Sequence, residues 1–186
     1  MGAALLVVDM QNAYFEDPVL EGQRTEVVAA CNRLVVLARS LGAPVFTVVT
    51  EHARDTSTWT LSMLEDNQGF AFTGTRQAAL LDDLDAAGAT TVVKIRDSAF
   101  HGTDLAQRLR ALGAQRLVLC GVSGQDCIAR TGADAFANDF AVAYAMDAIG
   151  SIDPELGRQT LGKLASQYRQ EQLETSAVGD WMRAKP

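Results

Sequence analysis

The chain has 186 residues, 48% of them hydrophobic and 21% charged, and a formal net charge of -7. That length suits one domain over residues 1–186, and lets roughly 70% of the unfolded chain's surface be buried without disulfide staples. The acidic balance excludes an electrostatic footprint for nucleic acid or anionic lipid, and the longest apolar run near the start, "AALLVV" from Ala3, is far short of a membrane span.

No basic segment precedes that run, so it does not read as a signal peptide, and a cytoplasmic location is expected. Three cysteines, an odd number, fit a reducing compartment rather than a disulfide framework. With only two histidines, His52 and His101, a histidine-rich metal site is not expected.

In chain order, a first strand is expected at Ala3–Asp9. Val27, Val28, Cys31, Leu34, Val35, Ala38 and Leu41 then form one helical stripe, ended by Gly42. A second strand follows at Pro44–Thr50. The stretch 51–74 is irregular and carries Trp59, Phe70 and Phe72 among polar residues. A loop so long in a compact domain is usually functional, often a lid. Ala79, Leu80, Leu84 and Ala87 give a second stripe, closed by Gly88, before a third strand at Thr90–Lys94. Thr103 or Asp104 caps a third helix with Leu105, Leu109 and Leu112 inside, ended by Gly113. A fourth strand is expected at Arg116–Cys120, a helix over "ARTGADAFAN" and a fifth strand at Phe140–Met146. A helix from Leu156 to Tyr168 follows Asp153-Pro154, and Thr175–Val178 carries a weaker sixth strand signal.

The strands are short and nearly continuous in apolarity, as strands buried on both faces of a parallel sheet are. Strict alternation with helices predicts an α/β fold: a doubly wound, Rossmann-like, mostly parallel sheet of five or six strands with helices on both faces.

Ligands of such sheets bind at the carboxyl ends of the strands. Asp9 ends the first strand, Lys94 ends the third, and Cys127 lies just past the fourth at a helix start. Each has a plain alternative: a turn cap, a snorkelling amine, a packed thiol. Cys31, on a helix stripe, and Cys120, inside a strand, read as packing. Cys127 sits instead in a Gly-rich turn, where helix N–H groups and a nearby ammonium would favour a thiolate. Acid, base and thiol on one rim point jointly to nucleophilic catalysis.

The segments "LLVVDMQNAYF", "VVKIRDSAFHGTDL" and "LVLCGVSGQDCIARTGADAF" together resemble the isochorismatase-like cysteine hydrolase family. The resemblance spans roughly residues 3–150 in the right order. It implies that family's fold and a catalytic triad of Asp9, Lys94 and Cys127. It also implies a cis peptide at Val122–Ser123, after Gly121, and an oxyanion hole from the Ser123 and Cys127 amides. The implied activity is hydrolysis of an amide, carbamoyl or ureido C–N bond of a small molecule through an acyl-enzyme. A second reading is vinyl ether hydrolysis of the isochorismatase type, with Asp9 as general acid. The family commonly shows "TARDA" after the cysteine, whereas this chain has "TGADA", with Ala133 in place of the arginine.

Nicotinamidase members carry an Asp-x-His metal motif after the second strand. Here the corresponding "TEHARD" has Glu51 beside His52, so no metal is expected. No G-x-G-x-x-G or Walker motif is present, so no nucleotide cofactor is expected either. Phe15, Trp59, Phe70, Phe100 and His101 are candidate substrate contacts, by their place near the rim or on the lid. Family habit, the apolar-rich helix after Cys127 and the Trp59 loop point to a homo-oligomer.

Overall fold

The computed structural model describes residues 2–184. Six strands form one parallel sheet in the order β3-β2-β1-β4-β5-β6. They are β1 (Gly2–Val8), β2 (Val45–Thr50), β3 (Thr90–Lys94), β4 (Ala114–Gly121), β5 (Ala141–Ile149) and β6 (Glu171–Leu173). The helices are α1 (Pro18–Ser40), α2 (Leu61–Glu65), α3 (Leu105–Ala111), α4 (Ala129–Ala137), α5 (Pro154–Tyr168) and α6 (Thr175–Arg183). This is the expected doubly wound α/β sheet.

Side-chain alternation along the central strands divides the core. Leu5 and Val7 of β1 face α1 and α6, whereas Ala4, Leu6 and Val8 face the layer of α3, α4 and α5. The strand order reverses between β1 and β4, and the crevice at their carboxyl ends is where such sheets hold ligands. Gly121 closes β4 there with φ 110°, and a Cβ on it would lie 2.0 Å from the Val8 carbonyl oxygen, so only glycine fits.

Two expectations are corrected. The stripe at Ala79–Ala87 is not a helix but a run of turns. Its backbone pairs with the segment after β1, Asn12 N–H donating to Ala79 and Leu81 N–H to Met10 at 3.0 and 2.9 Å. Leu81 and Leu84 are still buried in the α1 core; successive turns mimicked helical spacing. The expected sixth strand, Thr175–Val178, begins α6 instead. Asp147 holds the Thr175 amide and hydroxyl, both at 2.7 Å, and Val178 and Met182 fall on one buried face. The true edge strand β6 lies just before it. The stripe from Val27 lies on α1 as expected, and that helix starts at Pro18: Asp17 accepts from the Val19 and Leu20 amides at 2.8 and 3.2 Å, with Pro18 at the first position.

Candidate active site

Asp9 follows β1 directly and is fully buried, with φ 52°. A non-glycine residue in this left-handed region is uncommon, though Asp tolerates it better than most. It turns the carboxylate across the ends of the neighbouring strands. Lys94, the last residue of β3, is 1% exposed, and its Nζ lies 2.8 Å from Asp9 Oδ2. The same Nζ is 3.4 Å from Cys127 Sγ.

Between Asp9 and Lys94 stands Thr50, the last residue of β2. Its hydroxyl donates to Asp9 Oδ1 at 2.9 Å and accepts from Lys94 Nζ at 2.6 Å. It also accepts from the Tyr14 hydroxyl at 2.9 Å. One donor and two lone pairs are thereby all used. Gln11 locks the Thr50 backbone from the other side: its Nε2 donates to the Thr50 carbonyl at 2.9 Å and its Oε1 accepts the Thr50 amide at 2.8 Å.

Cys127 lies in a π-helical turn, Gly124–Ile128, that leads into α4. Single π turns are frequent at functional sites. The Ser123 carbonyl accepts from both the Asp126 and Ile128 amides, at 3.1 and 3.2 Å. The Val122–Ser123 peptide bond is cis.

Burial pushes the Cys127 thiol well above its usual range, the Asp9 charge adds to this, and Lys94 opposes it. The cysteine therefore rests as a thiol, against the expectation of a depressed pKa. Desolvation and a facing carboxylate outweigh the ammonium. Burial acts to lower the Lys94 pKa, but the Asp9 charge and the hydrogen bonds to Asp9 and Cys127 more than offset it and hold the ammonium charged. Beyond its ion pair, Asp9 Oδ2 accepts no hydrogen bond among the described residues, so it keeps a lone pair for an incoming proton.

Lys94, Cys127 and Ser123 open onto a cavity of about 340 Å³. Phe70 lines it, edge-on to Tyr14 at 5.2 Å between ring centroids. His52, also on the wall, hydrogen-bonds through Nδ1 to the Thr58 carbonyl at 3.0 Å. The other sequence candidates lie elsewhere. Phe15 packs in the core against α1, and its neighbour Tyr14 faces the cavity instead. Trp59 donates its indole N–H to Ala53 at 2.8 Å and leans on Phe72. Phe100 stacks on Phe140. His101 and Ala133 border a neighbouring surface depression, and Val122 is buried in the core. Sequence reasoning missed Gln11, Tyr14, Thr50 and Asp126. Thr50 was accessible to the strand-end rule that singled out Asp9 and Lys94.

A nicotinamidase-type metal does not fit here. The position two before His52 is Thr50, whose hydroxyl is spent on Asp9 and Lys94. Among the described residues, no group of three His, Cys, Asp or Glu side chains could hold a metal ion.

The isochorismatase domain profile matches residues 3–176. A protein of Arabidopsis thaliana named "Probable inactive nicotinamidase" is 35% identical over 162 residues, 82% of this chain and 83% of that one. A "Probable isochorismatase" of Pseudomonas chlororaphis is 34% identical, over 82% of this chain and 73% of its own length. Among solved structures, N-carbamoylsarcosine amidase from Thermoplasma acidophilum superposes with a TM-score of 0.80 at 25% identity, covering 94% of this chain and 97% of that one. A buried carboxylate, ammonium and thiol at the sheet's switch point thus coincide with a match over nearly the whole chain: the protein belongs to the isochorismatase-like hydrolase family.

Proposed function

We propose that the chain is a cysteine hydrolase that cleaves a C–N bond of a small amide, carbamoyl or ureido compound. The observation that carries this reading is the Lys94 ammonium, 2.8 Å from Asp9 and 3.4 Å from Cys127, beside an Asp9 oxygen with no other partner. A thiol kept protonated needs a base at hand, and Asp9 is that base. Asp9 takes the thiol proton as sulfur bonds to the carbonyl carbon. The carbonyl electron pair moves to oxygen, where the Ser123 and Cys127 amides receive it. Such a donor contributes on the order of 3 kcal/mol in other enzymes. Lys94 balances the negative charge shared by Asp9 and the sulfur. The tetrahedral adduct collapses, nitrogen leaves with the proton from Asp9, and a thioester remains. Asp9 then draws a proton from water, whose oxygen attacks the thioester; the C–S bond breaks, the acid leaves, and Asp9 returns the proton to sulfur to restore the thiol.

A second reading, vinyl ether hydrolysis with Asp9 as proton donor, has support in the relative named an isochorismatase. It gives the cysteine no role. Intact-mass spectrometry after exposure to a panel of small amides separates the two. A transient adduct, absent in Cys127→Ala, is expected. Full turnover by Cys127→Ala would overturn the nucleophile assignment.

A further inference from the structure

The cavity wall carries two carboxylates that this chemistry does not use, Asp97 and Asp126, and of these only Asp97 has an ion-pair partner among the described residues. Asp126 directly precedes Cys127 in the π-helical turn, is half-buried and lines the same cavity. Among the described residues it has neither an ion-pair partner nor a hydrogen bond to its side chain.

Two of the other charges around the cavity are ion-paired, and the third, Arg96, is held by backbone carbonyls. Lys94 faces Asp9 at 2.8 Å, and Asp97 is paired with Arg130 Nε at 2.9 Å. Arg96 places one terminal nitrogen on the Thr58 and Ile95 carbonyls, at 2.9 and 2.6 Å, and the other near the Trp59 carbonyl at 3.3 Å. Its fork is thus turned onto loop backbone and not offered to a substrate carboxylate. Burial lowers the His52 pKa and keeps that ring neutral. Burial raises the carboxyl of Asp126, Asp97 adds to the rise, and Arg130 opposes it only in part.

We propose that Asp126 selects substrates by charge: the site takes amides whose non-scissile end bears an ammonium or guanidinium group and rejects those bearing a carboxylate. The inference rests on the cysteine hydrolase reading. A carboxylate entering a partly desolvated cavity meets an unmatched like charge, while a cation finds the partner that Asp126 lacks.

Charged thiol reagents test this without knowledge of the substrate. A methanethiosulfonate is attacked by the cysteine sulfur, a mixed disulfide forms, and methanesulfinate leaves. Cys31 and Cys120 are fully buried, so intact mass with a Cys127→Ala control reports on Cys127. Rates with cationic trimethylammonioethyl and anionic sulfonatoethyl reagents are each normalised to the same reagent's rate with free cysteine. The normalised cation-to-anion ratio is expected to be at least about tenfold. It should fall several-fold in Asp126→Asn and shrink in high salt. For amide pairs differing only in ammonium against carboxylate, the kcat/KM ratio should move the same way. A wild-type ratio near one, or a ratio that Asp126→Asn leaves unchanged, overturns the charge role while the nucleophile stands. Failure of both reagents to label Cys127 overturns the proposed function and this inference with it.

Discussion

Lys94 and Asp9 form an ion pair at 2.8 Å with both side chains sealed from solvent, 1% and 0% exposed. Such a pair is costly to assemble and more costly to break, because the surviving partner is left as a bare buried charge. Lys94→Met and Asp9→Asn should each lose about 3–5 kcal/mol of stability in urea unfolding. The double variant should regain much of that stability while remaining inactive. Single variants as stable as wild type would mean that the two charges do not compensate each other.

Cys127→Ala should abolish hydrolysis. Asp9→Asn combined with it should be scarcely worse than either change alone, since groups acting in one step are not additive. Cys120 sits in the core under α1, its thiol 3.6 Å from the Leu6 carbonyl. Cys120→Ala should leave turnover intact and cost about 1 kcal/mol. Steady-state kinetics beside urea melts would expose clear additivity or a catalytic Cys120, either of which contradicts these assignments.

The alkaline limb of stability carries a sign. Cys127 is raised by burial and the Asp9 charge, Cys120 by its hydrogen bond with Cys31 and by burial. Tyr14 is raised by burial and Asp9. An unfolded thiol ionises near about pH 8.5. Above that pH the unfolded chain releases protons that the folded one keeps, so stability falls as pH rises; below it both states hold them and this contribution is flat. The urea midpoint should decline from about pH 8.5 upward, less steeply in Cys127→Ala. A midpoint that rises over the same range would refute the raised thiols.

Thr50 has every hydrogen-bonding valence occupied by Asp9, Lys94 and Tyr14. Thr50→Val keeps the shape and removes all three bonds. Misplacing the catalytic groups in this way should lower kcat by about 100-fold. Thr50→Ser should restore most of it. Equal activity in all three proteins would show that the hydroxyl positions nothing.

Gly132 lies in α4, where Ala would ordinarily gain about 1 kcal/mol of helix propensity. Here a Cβ would come 2.0 Å from the Tyr144 hydroxyl and 2.7 Å from its ring carbon. That hydroxyl donates to Gln170 at 2.7 Å, and Gln170 Nε2 donates to the Gly132 carbonyl at 2.7 Å. Gly132→Ala should therefore destabilise by about 2–3 kcal/mol. A higher melting temperature for the variant would be the contrary result.

What the sequence made legible was chemistry at strand ends. Asp9 and Lys94 are conspicuous because each ends an apolar strand where parallel sheets present ligands, and Cys127 because it stands in a Gly-rich turn just past β4. Thr50 was not conspicuous, since threonine is an ordinary strand residue. Its role arises only from β1, β2 and β3 lying side by side, which brings Asp9, Thr50 and Lys94 into a row. Phe15 and Tyr14 differ by one position in a short turn, and that step decides which ring faces the cavity and which the core. The edge strand β6 has a single partly buried apolar side chain, Leu173, so no pattern announces it. The turns at 79–87 bury leucines at near-helical spacing without a helix, a case where burial and periodicity part company.

The protonated state of Cys127 also bears on how the protein ages. Peroxides oxidise thiolates, and their access follows exposure. A cysteine that is 5% exposed and held as a thiol is a poor target for peroxide. On the proposed mechanism Asp9 deprotonates it as an electrophile enters the cavity to take the electrons. A resting thiol is therefore slower to oxidise than a permanently ionised sulfur would be, while a fitting electrophile in the cavity can still draw it into reaction.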